Sequence, residues 1–251
     1  MALLTDGIMA TLTDLKACES SILDMASIEA IDLTSKLALA QRELTLEVTS
    51  FLVRRGYNPG RDLRLDRVAV TEALLHAHIT RTLSITFRDA SNSQLNDRYT
   101  KKWNTYANLA KSATQQLFDV GIGIVNTPVG KAGMPIVMDI PGGLLPATTY
   151  YVNAAGVNST GQTGTPSESV ILQCLPGTRL QVQPVALPVG AIGWIISAGI
   201  EEDSMLRQND ALLNAGDIWI QPAQGLRSDL PSAGVQEPDF YIANRRELLR
   251  G

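Results

Sequence analysis

The chain has 251 residues, of which 45% are hydrophobic, 18% charged and only 5% aromatic, and its formal net charge is −4. That balance excludes a disordered chain, which lacks the apolar content to build a core. It also argues against a protein that grips nucleic acid, because a basic stripe and a supply of base-stacking aromatics are both missing. The charge is unevenly spread: residues 1–130 carry 14 basic and 14 acidic side chains, residues 131–226 carry 3 and 7, and residues 227–251 carry 4 and 4.

The opening MALLTDGIMATLTDLK has no basic region ahead of an apolar run, so it does not read as a signal peptide. No stretch approaches the ~20 apolar residues of a membrane span. The expectation is a soluble protein with no membrane partner, made in a cytoplasm. Cys18 and Cys174 read as two buried thiols rather than a disulfide.

The first half reads as helices. Thr13 or Asp14 caps a helix to about Ala26. A second runs from Ser27 or Asp32 to about Arg54, with Leu33, Leu37, Ala40, Leu44, Val48, Phe51 and Leu52 stepping by three and four. Gly56, Asn58, Pro59 and Gly60 break it. A third helix extends from Asp66 to about Phe87, with Val70, Leu74, Leu75, Ile79 and Leu83 along its apolar face. Asp89 to Ser93 reads as a loop. A fourth helix spans Asn96 or Asp97 to about Val120, buries Tyr99, Trp103, Tyr106, Ala110, Ala113 and Leu117, and stops at Gly121 and Gly123.

From Asn126 to Leu226 the helical period disappears, and short β-rich runs alternate with Gly, Pro, Asn and Ser. Strands are expected near Ile136–Ile140, Thr149–Val157, Ser167–Leu172, Arg179–Pro184, Gly193–Ala198, Met205–Asn209 and Asp217–Gln221, with Trp194 packed between sheets. Seven short strands in this span have the count and spacing of an immunoglobulin-like sandwich. The fold class is therefore α+β: an N-terminal helical bundle over residues 1–130, an inserted all-β immunoglobulin or fibronectin-like sandwich over 131–226, and an extended C-terminal tail over 227–251. The tail is too short to fold alone and calls for a partner surface.

The chain carries no recognisable catalytic, cofactor or metal motif. His76 and His78, two apart on a helix, point about 200° away from each other and cannot share a ligand. They read as polar-face or interface histidines. Glu201, Glu202 and Asp203 lack the alternating spacing of a calcium loop. Asp89 and Asp97, beside Arg88 and Arg98, read as caps and loop ion pairs rather than an acid–base couple. The chain is not expected to be an enzyme.

Two stretches carry a resemblance. The helical half, with Leu15 to Leu23 leading into Ile31 to Ala40, then Phe87-Arg88-Asp89-Ala90, Asn96-Asp97-Arg98-Tyr99 and Lys101 to Tyr106, and ending at Gly121-Ile122-Gly123, resembles tailed-phage head-to-tail adaptor proteins. Leu145 to Val152, Gly161 to Ser167 and Gly193-Trp194 resemble fibronectin type III-like modules of phage structural proteins. The resemblance implies a homo-oligomeric ring of twelve copies below the portal protein. Such a ring extends the channel for double-stranded DNA without specific binding, and joins the capsid to a tail, tail-terminator or nozzle protein. It implies a place in the virion neck after assembly in the host bacterial cytoplasm. It puts the portal contact on the tail, through Phe240, Tyr241, Arg245, Arg246, Leu248, Leu249 and Arg250. An alternative is a tail-surface protein whose sandwich recognises a glycan or a fibre protein. A cellular DNA-binding regulator is a third, opposed by the balanced charge of the helical half.

Overall fold

A computed structural model describes residues 1–58, 60–61, 64–93, 97–223, 225–228 and 234–244. The chain divides into a helical unit, Leu4–Val125 with the segment from Pro238 onward, and a β unit, Met1–Leu3 with Asn126–Glu237. Helices in the first half followed by antiparallel sheets make the fold α+β, with the β unit a two-sheet sandwich.

The helical unit holds α1 (Leu12–Cys18), α2 (Ile22–Ile28), α3 (Leu33–Arg54), α4 (Glu72–Ser93) and α5 (Thr100–Val120). The single helix expected from Thr13 to Ala26 is two. Thr11 and Asp14 cap α1 reciprocally, and the chain then leaves the helix at Glu19. Tertiary bonds set that break: the Glu19 carboxylate accepts from Ser21 Oγ (2.7 Å), Lys102 Nζ (2.9 Å) and Tyr106 OH (3.1 Å). In α3, Asp32 caps Thr34 N, and the seven residues expected to be buried all are.

The third helix starts later than expected. Leu65–Arg67 form one 3₁₀ turn, and Val68 and Ala69 are extended. Val68 bridges Ile124 and accepts from Leu4 N, while Ala69 N donates to Gly123 O. These β-branched and small residues serve as a strand-like staple, and α4 begins only at Glu72. At its other end α4 runs through the segment expected to loop, because Ala90 is fully buried beside Phe87 and Tyr99 and Asp89 pairs with Lys36.

Gly121 ends α5 at φ +108, a conformation glycine adopts without strain. The strand β1 (Ile122–Ile124) follows at once. Two apolar clusters hold the unit. Leu44, Val48, Phe51, Leu52, Leu74, Leu117, Ile122 and Ile124 meet in one, and Leu15, Ile22, Leu37, Leu83 and Phe87 in the other.

The β unit contains β2 (Ile136–Leu145), β3 (Thr149–Val157), β4 (Val170–Gln173), β5 (Thr178–Gln183), β6 (Gly193–Gly199), β7 (Leu206–Arg207) and β8 (Trp219–Ile220), so each of the seven expected runs yields a strand. They divide four and three, with orders β4-β3-β6-β7 and β2-β5-β8. The first and fourth strands thus share the smaller sheet, an order of the module's own. Tyr150, Val152, Leu180, Val182, Trp194, Ile196 and Trp219 fill the space between the sheets.

β7 and β8 are only two residues long because side-chain amides take over the ladder. Asn209 Oδ1 accepts from Ile196 N at 2.8 Å. Gln221 N donates to Leu180 O while its Oε1 accepts from Leu180 N at 3.1 Å. Gln208 pairs with Arg227 in both directions: Oε1 accepts from N at 2.8 Å and Nε2 donates to O at 3.1 Å. Buried amides of this kind must be satisfied, and these satisfy backbone groups as well.

Candidate interaction surfaces

The part of the tail within the described residues is folded. Residues Phe240–Ile242 form β9, antiparallel to β1, with Ile122 opposite Ile242, Gly123 opposite Tyr241 and Ile124 opposite Phe240. Asp239 N donates to Ile124 O, Asn244 N donates to Phe118 O, and Arg55 donates to Asn244 Oδ1 at 2.7 Å. For residues 238–244 the expectation that the tail needs a partner surface in order to fold is corrected here. The free edge of β1 needs hydrogen-bond partners, and Phe-Tyr-Ile after Pro238 has the β propensity to supply them. Gly123 permits the approach, since a Cβ there would lie 2.8 Å from Pro238 Cγ. Ile242 points into the core, while Phe240 and Tyr241 stay 40% and 49% exposed. Arg245, Arg246, Leu248, Leu249 and Arg250 lie outside the described residues.

A second surface is the outer face of the three-stranded sheet. Its register sets Ile136 opposite Gln183, Met138 opposite Gln181, Ile140 opposite Arg179, and Gln181 opposite Ile220. Alternation sends Val137, Leu180, Val182 and Trp219 inward. It leaves Ile136, Met138, Ile220 and the neighbouring Ile218 43–49% exposed.

The titratable side chains singled out in the sequence are held by structural bonds. His78 is fully buried rather than on a polar face, with Nε2 3.0 Å from Leu37 O and Nδ1 without a partner among the described residues. Burial pushes its pKa below the usual histidine value, against the opposing effect of its hydrogen bond to the Leu37 carbonyl. His76 is exposed. Burial, then the charge and hydrogen bond of Glu19, push the Tyr106 phenol up to about 12. Burial alone would raise the Glu19 carboxyl, but the bonds from Lys102 and Ser21 outweigh it and hold the group below its ordinary range.

Asp89 is engaged by Lys36, and Asp97 holds the first turn of α5 through Thr100. Glu202 and Asp203 stand at the rim of a groove of about 380 Å³ that Ala155, Ile195 and Met205 line. Cys174 is buried as expected, whereas Cys18 is exposed, and both are free thiols. Among the described residues no group of three or more His, Cys, Asp or Glu is placed to hold a metal, and no helix is long and apolar enough to cross a membrane. Comparison with protein-family models, with curated proteins and with solved structures gives no match.

Proposed function

We propose that the chain is a structural head-to-tail adaptor of a tailed bacteriophage, assembled in the host cytoplasm into a ring in the virion neck. The observation that supports an assembly role is where apolar surface is left in water. Of 24 large apolar side chains exposed among the described residues, 15 belong to the β unit, from Met134 to Val235. Where register gathers them on one face, as with Ile136, Met138 and Ile220 on the β2-β5-β8 sheet, exposed aliphatic surface marks a contact site.

Charge supports the same reading. A neutral helical half and an acidic β segment offer phosphate no basic track, so double-stranded DNA could pass without binding. In the tail, Arg245, Arg246 and Arg250 supply cations for portal carboxylates, with Leu248 and Leu249 as apolar anchors. A contact of so few residues is weak alone, and a ring multiplies it. Glycan recognition by the sandwich is the weaker reading, because Tyr150, Trp194 and Trp219 are all in its core.

Electron microscopy of the purified protein, alone and mixed with its portal protein, tests the proposal. Rings and a ring–portal complex are expected, and neither forming would end it.

A further inference from the structure

We infer that the outer face of the β2-β5-β8 sheet is a contact between two copies of this chain, packed face to face about a two-fold axis through Gln181. Three rows make up the face. Ile136, Gln183 and Ile218 form one, Met138, Gln181 and Ile220 the middle one, and Ile140 and Arg179 the third. Aliphatic side chains flank a polar spine on both edges, and no aromatic lies among them.

The spine says what covers it. Among the described residues Gln181 and Gln183 make no side-chain hydrogen bond, and the Arg179 Nε is buried without an acceptor. That Nε is closed to any second chain, but the guanidinium makes no ion pair among the described residues, and a cation over an aliphatic sheet attracts an acceptor from outside. A two-fold axis through the middle row supplies one. It brings the two Gln181 amides together, where each can donate to and accept from the other. It also exchanges the end rows, setting each Arg179 beside Gln183 of the other copy, at the end where the Asn214–Asp217 turn leads into β8. That turn carries a carboxylate, Asp217, and the face itself carries none. Opposite ends therefore complement one another, which is what an isologous contact requires.

Area agrees. The exposed parts of these side chains offer on the order of 500 Å² per copy, so a pair buries roughly 1,000 Å², the lower bound for a specific contact. Such a contact is weak alone. It stands independently of the phage reading, since a ring needs a second, different contact to close.

The test uses the full chain. Sedimentation velocity across a concentration series should show reversible dimerisation. Met138→Lys and Ile220→Lys should each weaken it at least tenfold, while Ile171→Lys on the other sheet leaves it unchanged. In a Cys18→Ser background, Gln181→Cys should give a disulfide-linked dimer under mild oxidation and Ile171→Cys should not. A wild-type chain that stays monomeric at every concentration overturns the inference and leaves the face to a different protein. So does association untouched by both lysine variants, or a Gln181→Cys chain that fails to cross-link. Rings that form while both lysine variants leave pairwise association unchanged sink this contact but keep the adaptor reading. Dimers that these variants abolish, with no ring, do the reverse.

Discussion

Gln236 and Val129 pair as two strands do, although only one of them contributes backbone. Val129 N donates to Gln236 Oε1 at 3.1 Å, and Gln236 Nε2 donates to Val129 O at 3.1 Å. Gln236 is fully buried, its Nε2 also reaches Met1 O, and its backbone N donates to Thr163 O. One side chain thus ties three distant segments of the β unit. Gln236→Leu strands a donor and an acceptor at Val129 and should cost about 2–4 kcal/mol in chemical denaturation. Gln236→Glu keeps the acceptor and, while protonated, an O–H donor, so it should cost less than the leucine variant at low pH and lose that advantage as the buried carboxylate ionises against the Val129 and Met1 carbonyls. Equal stability of Gln236→Leu and wild type would show that the amide is not a tie.

Gly143 sits where the β2–β5 register shifts between Pro141 and Leu145. A Cβ there would lie 1.9 Å from Thr178 O, an atom of the neighbouring backbone that cannot swing away. Gly143→Ala should therefore destabilise the sandwich by about 1–3 kcal/mol, as overpacking does. Gly133→Ala, which meets nothing within 4 Å, is the control. Thermal melts of the two variants should separate clearly.

His78 should make stability pH-dependent. Its pKa is lowered on folding, so between that value and the ordinary 6.5 the unfolded chain binds the proton and the folded chain does not. Its contribution is complete above about pH 6.5 and is lost as the pH falls, with a slope of up to about 1.4 kcal/mol per pH unit. Urea midpoints at about pH 7.5 and 5.5 should differ for wild type and converge for His78→Leu. Glu19, also lowered, acts only below its own ordinary value of 4.5 and does not interfere in this window.

Two truncations separate the parts of the tail. Removing residues 239–251 deletes β9, uncovering Ile122 and Ile124 and orphaning the β1 edge. The helical unit should lose several kcal/mol, at about 1.5–3 kcal/mol per large apolar side chain exposed. Removing residues 245–251 keeps β9 and the Asn244 bonds, and on the adaptor proposal portal binding should disappear. Portal binding that survives the shorter deletion would remove Arg245, Arg246, Leu248, Leu249 and Arg250 from that role.

The sequence by itself determined what depends on local pattern. The buried stripe of α3, the glycine stop of α5 and the seven β runs were all legible, because periodicity and turn residues act over a few neighbours. Tertiary structure alone decided the rest. Glu19 breaks a helix because donors from α5 and Ser21 converge on its carboxylate, and Ala90 extends one because it is buried against distant rings. Val68 is extended because it bridges a strand more than fifty residues away. The tail became β9 because Gly121 and Gly123 let a backbone come close and β1 had hydrogen bonds to share. Buried amides at Asn209 and Gln221 end strands early, and those at Gln208 and Gln236 tie distant segments, by standing in for peptide groups. No residue pattern announces that exchange, since a glutamine at the surface and one in the core are the same letter until the chain has packed around it.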